Sequence, residues 1–401
     1  MSPVNTSELN PAEIDWPVPE DTVAREEEVA AVLDLLRSEK IGARTVWRLI
    51  RVFESARMTM AADDHTLERV GGLTPDSIRE LREAHGNGFG AAQLERSERL
   101  GTRILLPGMN EYPPLLRRIH SPPAALFVSG KPLPTHERCV AMVGSRAASE
   151  AGLELAHQIG AGLAKADVAV ISGMALGIDG ASHRGCLQEG GPTVAVLGCG
   201  VDVLYPKKHR KLRDEIARHG SIVSELTMGA GPEAKHFPMR NRIIAGMSVG
   251  SVIVEAGVKS GSLITANYAL QENREIFTCP GHPLSRSHEG SNWLLRQGAI
   301  PVRHAGDILE DLAARFGMEF KGRQRELPLD AVPDDLDEDE TRLFHLLEAV
   351  LTMHADTVAT RLAMDASRTG ALLLGMELKG YIQRVPGDRY RKVSPGSWGD
   401  A

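Results

Sequence analysis

Val140-Ala141-Met142-Val143-Gly144-Ser145-Arg146, near the middle of the chain, reads as a short buried strand that runs into glycine. The pattern recurs at Ser172-Gly173-Met174, Leu197-Gly198-Cys199-Gly200, Glu255-Ala256-Gly257 and Pro280-Gly281. Around these junctions the spacing predicts strands over residues 140–143, 168–172, 194–197, 222–224, 251–254 and 276–279, separated by amphipathic helices. Apolar runs of this length between helices are buried on both faces, which implies an α/β fold with an extended Rossmann-like, doubly wound, mostly parallel sheet. Ligands of such sheets bind outside the carboxyl ends of the strands, where the strand order reverses. Glycine there admits close backbone approach, and the next helix N-terminus offers N–H groups and a positive dipole to phosphate. Gly144, Ser145, Gly173 and Gly177 are therefore candidate ligand contacts, with Arg146 as a phosphate contact just past the first junction.

Working outward, residues 1–24 are polar and proline-containing, and a disordered tail is expected. Residues 25–105 are helical in period, with Val29, Val32, Leu35 and Leu36, then Val46, Leu49, Ile50 and Phe53, on apolar faces. Ile41-Gly42 and Val70-Gly71-Gly72-Leu73 resemble the turns of a helix-hairpin-helix, which offer N–H groups to DNA phosphates, or else are corners of a small bundle. Residues 106–315 form the α/β domain, entered through an extended, packed, proline-rich connector around Tyr112-Pro113-Pro114 and Pro122-Pro123. A charged linker over 316–337 leads to a block at 338–396. That block has three helices and a hairpin about Pro386-Gly387-Asp388, a winged-helix-like pattern.

The 401 residues are 42% hydrophobic and 25% charged, with a net charge of -7, which suits a globular chain of more than one domain. That balance opposes indiscriminate binding to polyanions and leaves room only for a local basic groove. The first residues lack a basic segment followed by an apolar one, and no apolar run approaches a membrane span, so a cytoplasmic protein without membrane contact is expected. Cys139, Cys186, Cys199 and Cys279 are too scattered for a zinc site or a disulfide framework and read as reduced core thiols, with no metal and no cofactor expected.

The most informative segment is Lys235-His236-Phe237-Pro238-Met239-Arg240-Asn241-Arg242. Guanidiniums grip phosphates bidentately and a phenyl ring stacks on an exposed base, a pairing that a single strand offers and a duplex hides. The alternative is that these arginines pair with carboxylates such as Glu225 or Glu255, and at least one of the two is expected to stay with the ligand. Lys259, Ser260 and Gly261, just before Ser262, read as an anion-cradling loop at a helix start. Asp179 and His183 stand at i, i+4 on one helix face with no third ligand, so they read, with Glu255, as groups that organise loops through hydrogen bonds. No phosphate-binding P-loop, nucleophile elbow or metalloprotease motif occurs, so a holding site without catalysis is expected.

These motifs in this order resemble the DNA-processing protein A family (DprA/Smf). The resemblance is carried by Gly144-Ser145-Arg146, Ser172-Gly173-Met174, Gly177-Ile178-Asp179 with His183, Tyr205-Pro206, Phe237-Pro238-Met239-Arg240-Asn241-Arg242, Glu255-Ala256, Ser260-Gly261-Ser262 and Gly290-Ser291-Asn292. It spans residues 25 to 394 and implies a sterile-alpha-motif-like N-terminal domain, an extended Rossmann fold and a winged-helix-like C-terminal domain. It also implies a homodimer that binds single-stranded DNA and helps load the RecA recombinase in natural transformation. Arg146, Lys235, Phe237, Arg240, Asn241 and Arg242 would line the DNA pocket. Leu176, where the family often has a basic residue, removes one phosphate contact. Two rivals remain. A phosphoribohydrolase-like nucleotide enzyme would need a Gly-Gly-x-Gly-Thr loop, which is missing. A duplex-reading regulator would need polar side chains where Leu372, Leu373, Leu374 and Leu378 stand.

Overall fold

The structure is a computed structural model that describes residues 16–38, 40–69, 73–318, 320, 333, 335–348 and 352–393. It divides into two compact units on either side of Arg323, and each is described by itself.

The first unit opens with helices α1 (Thr22–Arg37), α2 (Ala43–Phe53), α3 (Ala56–Ala61), α4 (Asp64–Arg69), α5 (Pro75–Gly86) and α6 (Phe89–Arg99). The apolar spacing read from the sequence becomes their buried face, with Val32, Leu35, Val46, Leu49 and Ile50 at most 1% exposed. Within the stretch expected to be a disordered tail, residues 16–24 are ordered, while residues 1–15 lie outside the described residues. Trp16 is buried and sits edge-on to Trp47 with ring centroids 4.7 Å apart, an apolar anchor that composition averaging conceals. Gly42 is the N-cap of α2; the turn at 70–72 lies outside the described residues.

A nine-stranded sheet follows: β1 (Arg103–Leu105), β2 (Leu126–Gly130), β3 (Cys139–Val143), β4 (Ala169–Ser172), β5 (Thr193–Val196), β6 (Ser221–Ser224), β7 (Gly250–Ile253), β8 (Glu275–Thr278) and β9 (Ile300–Pro301). The order is β1-β2-β6-β5-β4-β3-β7-β8-β9, antiparallel at β1–β2 and β2–β6 and parallel elsewhere. Helices α7 (Pro114–Arg117), α8 (Glu150–Lys165), α9 (Ile178–Gln188), α10 (Arg210–His219), α11 (His236–Gly246), α12 (Ser262–Gln271), α13 (Glu289–Arg296) and α14 (Ala305–Phe316) complete the unit. The chain steps outward from β3 to β6 and returns through α11 to lay β7 on the other side of β3. The strand order reverses there, so the crevice beyond the ends of β3 and β7 is the topological switch point.

Two sequence expectations change in the connector. Residues 114–117 form a helical turn rather than extended chain, because proline at the first helical position pre-sets φ and has no N–H to lose. Leu126–Gly130 is a strand that the neighbouring prolines hid, and it pairs antiparallel with β6. The helices and the sheet share one core, in which Trp47, Phe127, Leu197, Ile216 and Ile222 are members of a single apolar cluster. The indole N–H of Trp47 donates to the carbonyl of Pro122 at 3.0 Å, and Arg96 pairs with Asp202. All four cysteines are free and buried.

Of the expected linker over 316–337, Phe316 ends α14 and Phe320 packs in the α/β core, while residues 321–332 and 334 lie outside the described residues. The second unit comprises α15 (Glu338–Glu348), β10 (Met353–His354), α16 (Ala355–Leu362), α17 (Ala366–Leu378), β11 (Ile382–Val385) and β12 (Arg389–Lys392). Its strands run in the order β10-β12-β11, the small sheet of a winged helix. Part of the acidic run is a helix start: Asp337 and Glu340 accept each other's backbone N–H at 2.8 and 2.9 Å, a reciprocal cap with negative charge at the positive end of the dipole.

Candidate nucleic-acid interface

An open groove of about 880 Å³ lies at the switch point. One wall is the β3 end with Gly144, Ser145 and Arg146; the other is the segment from Gly257 to Thr265; Phe237, Arg240 and Asn241 of α11 form the floor. Arg146 is exposed and its guanidinium lies 5.6 Å from the centre of the Phe237 ring. Phe237 also leans on Tyr205, centroid to centroid 5.3 Å, and Tyr205 is 37% exposed. Among the described residues neither the Arg146 guanidinium nor the Lys259 ammonium meets a carboxylate, so both charges face the groove without a counter-ion.

The two arginines of α11 depart from the sequence expectation. Arg242 pairs with Glu225, each side chain less than a fifth exposed. Arg240 is 5% exposed and donates to the carbonyls of Gly173 and Val196, at the ends of β4 and β5, and to Asn241 Oδ1. Strand-end carbonyls converge there with no helix to accept from, and a guanidinium satisfies several at once. Burial lowers its pKa from 12.5 to about 10, with nearby Asp179 opposing the shift, so it stays cationic at neutral pH. Both arginines are thus committed to the protein, and only the charge of Arg240 reaches the groove.

The glycines also do a different job from the one expected. A Cβ on Gly173 would sit 2.5 Å from the Arg240 guanidinium, and one on Gly198 2.9 Å from the Phe237 ring. These positions let the protein approach itself, seating the groove floor. Gly177 has φ +82° and would put a Cβ 2.2 Å from the Ser145 carbonyl oxygen. Gly261 alone among the predicted contacts has open space around it.

The helix N-termini are largely filled from within. Glu255, fully buried, accepts from Ser149 Oγ at 2.7 Å and from the Ser149 N–H at 3.1 Å, placing a carboxylate where α8 would meet a phosphate. Asp179 accepts from the N–H groups of Gly173 and Ala175 at 3.1 and 3.3 Å. Asp179 and His183 are not bonded to each other as expected, because Asp179 is taken by the N–H groups of the loop after β4 and His183 by Thr193 of β5. The His183 ring meets Thr193 Oγ1 at 2.7 Å, and that hydroxyl donates to the Val170 carbonyl, so Nδ1 carries the proton and is the donor. Burial pushes its pKa down to about 3. Lys235 lies 3.3 Å from Glu233, and Asn241 donates to the Gly261 carbonyl at 3.2 Å, tying α11 to the opposite wall. Ser260 and Ser262 share a hydrogen bond of 2.7 Å at the start of α12. Among the described residues no cluster of His, Cys, Asp and Glu has the arrangement of a metal site. Tyr205 and Gly198 were not read as site residues; an aromatic beside Pro206 and a glycine opposite Phe237 announce nothing until the strand order is known.

The fold and groove define a Rossmann-type α/β protein with a cation-bearing crevice at its switch point and a winged helix in the same chain. A family model described as DNA recombination-mediator protein A matches residues 103–313, a DprA winged helix domain matches 328–388, and a DprA-like N-terminal HHH domain matches 26–74. Protein Smf of Escherichia coli is 38% identical over 292 residues, covering 72% of this chain and 77% of that protein. DNA processing protein DprA of Streptococcus pneumoniae is 40% identical over 200 residues, covering 50% and 71% respectively. The X-ray structure of the Streptococcus pneumoniae protein superposes with a TM-score of 0.61 at 30% identity, covering 70% of this chain and 97% of that one. The chain belongs to the DNA-processing protein A (DprA/Smf) family, and its work lies in DNA processing during recombination. Among the described residues no helix is long and apolar enough to cross a membrane.

Proposed function

We propose that the switch-point groove holds single-stranded DNA without reacting with it, and that the protein mediates recombination by presenting that strand to the RecA recombinase. The observation that carries this is the pairing of two uncountered cations, Arg146 and Lys259, with the partly exposed ring of Phe237 in one open groove. Cations grip the backbone and an aromatic face takes an unpaired base, whatever its sequence. A nucleotide-processing enzyme would need a carboxylate free to act, and Glu255 is buried and held by Ser149. Transfer to RecA, a homodimeric state, a cytoplasmic location and a part in natural transformation are proposed on the strength of the family resemblance.

The test is an anisotropy titration of labelled single-stranded and duplex oligonucleotides across a salt series, with a parallel assay for nucleotide turnover. Single strands bind more tightly, and Arg146→Gln and Lys259→Gln each lower the slope of log K against log salt by about 0.7. Phe237→Leu weakens binding by about 1–3 kcal/mol with the slope unchanged. Preference for duplex, or turnover of a nucleoside phosphate, overturns the proposal.

A further inference from the structure

We propose that a shelf built around Trp293, beside the groove, is a second stacking site that takes an unpaired nucleobase further along the same strand; this rests on the single-strand reading of the groove. Helix α13 buries Gly290, Ser291 and Leu294 and turns Glu289, Trp293 and Arg296 outward at i, i+4, i+7, a helical stripe. Trp293 is 51% exposed, an unusual position for the largest side chain, and it lines a cavity of about 650 Å³ with Val258, Leu263 and Pro283.

What identifies the occupant is the way this cavity adjoins the groove. The same two segments wall both. Along residues 257–263, Lys259 and Ser260 line the groove, whereas Val258 and Leu263 line the shelf. Along residues 283–290, Ser287 lines the groove, whereas Pro283 and Glu289 line the shelf. Val258 and Lys259 are consecutive, so one Cα step of about 3.8 Å separates a groove cation from the shelf wall. At the other end of the stripe stands Arg296, with no ion pair among the described residues. An apolar cavity bounded by uncountered cations complements a polymer that alternates flat apolar faces with negative charge. The Glu289 carboxylate adds an acceptor for the exocyclic amine of a base. A protein partner, the competing occupant, would use the apolar walls but has no call on the cations at both ends.

The experiment is a length series of labelled oligothymidylates and oligocytidylates titrated against the full chain, its Trp293→Ala variant and its Trp293→Phe variant. The exposed side chain can be removed without opening the core, and thermal unfolding checks this. In the unaltered protein, affinity steps up once the strand is long enough to leave the groove and reach the shelf. Trp293→Ala abolishes that step, about a 5- to 150-fold loss on long strands, and leaves the shortest binding strands unaffected, while Trp293→Phe restores most of it. Equal affinity of Trp293→Ala and the parent at every length overturns the shelf and leaves the groove intact. A change in oligomeric state with unchanged DNA affinity overturns it in favour of a protein occupant. Failure of the parent to bind any single strand removes the groove reading and the shelf with it.

Discussion

At Arg240 a guanidinium only 5% exposed donates to two strand-end carbonyls and lies near the buried Asp179 carboxyl, whose pKa burial raises above 3.8 while Arg240 works against that rise. Its removal is therefore a structural injury before it is a binding one. Arg240→Ala leaves buried acceptors unmatched and costs about 3–5 kcal/mol of stability. The pH dependence has a definite sign. A carboxyl that holds its proton more tightly folded than unfolded loses stability as pH rises from its unfolded value through its raised folded value, with no further loss above. Without Arg240 the folded value climbs, so the window of loss extends upward, and urea midpoints of Arg240→Ala fall further than those of the parent as pH rises from about 4 to about 8. Arg146→Ala, on an exposed side chain, leaves the unfolding free energy within about 0.5 kcal/mol at both ends of that pH range. An Arg240→Ala protein as stable as the parent but defective in DNA binding would return this residue to the ligand.

At the scale of the element, α8 shows how a phosphate-shaped helix start can be closed by its own protein. Ser149 Oγ accepts from the Gly152 N–H at 3.1 Å and donates to Glu255, whose oxygen would lie 2.3 Å from any Cβ at Gly152. Ser149→Ala removes a cap and a donor to a buried carboxylate together, costing about 1–2 kcal/mol by denaturant unfolding while the folded protein keeps its DNA affinity. Lost affinity at an unchanged midpoint would mean that α8 does meet the ligand. The strands were legible because apolar runs ending in glycine have few other homes. Their order was not, since Val140-Ala141-Met142-Val143 carries no mark of its neighbours, and with the order went the roles of the glycines. Gly173 looks in sequence like a ligand contact, and only the return of α11 across the sheet shows it making room for Arg240, as Gly198 does for Phe237. Of the residues read from the sequence, Arg146, Phe237 and Lys259 are brought together at the candidate groove. Arg242 was not, because its partner Glu225 lies a loop away and either pairing satisfies the sequence.

At the scale of the first unit, the helices before residue 100 and the sheet after it differ in sequence pattern but not in core. Trp47 at 0% exposure belongs to the same apolar cluster as Phe127, Leu197 and Ile222, and its indole N–H holds the Pro122 carbonyl. Met228 N–H donates to Gln93 Oε1 at 3.0 Å, tying α6 to the loop after β6. Loss of the helical layer would open the shared apolar cluster to water, so neither part has a reason to unfold alone. One cooperative transition follows, with groove and helical layer lost together. Trp47→Ala, about 3–5 kcal/mol from cavity and lost packing, lowers a single midpoint followed equally by single-strand binding and by amide exchange in α1, α2 and α6. If exchange in those helices collapses while the groove still binds DNA at its original midpoint, the shared core is an adhesion between two independent folds. The groove would then owe its rigidity to the sheet alone.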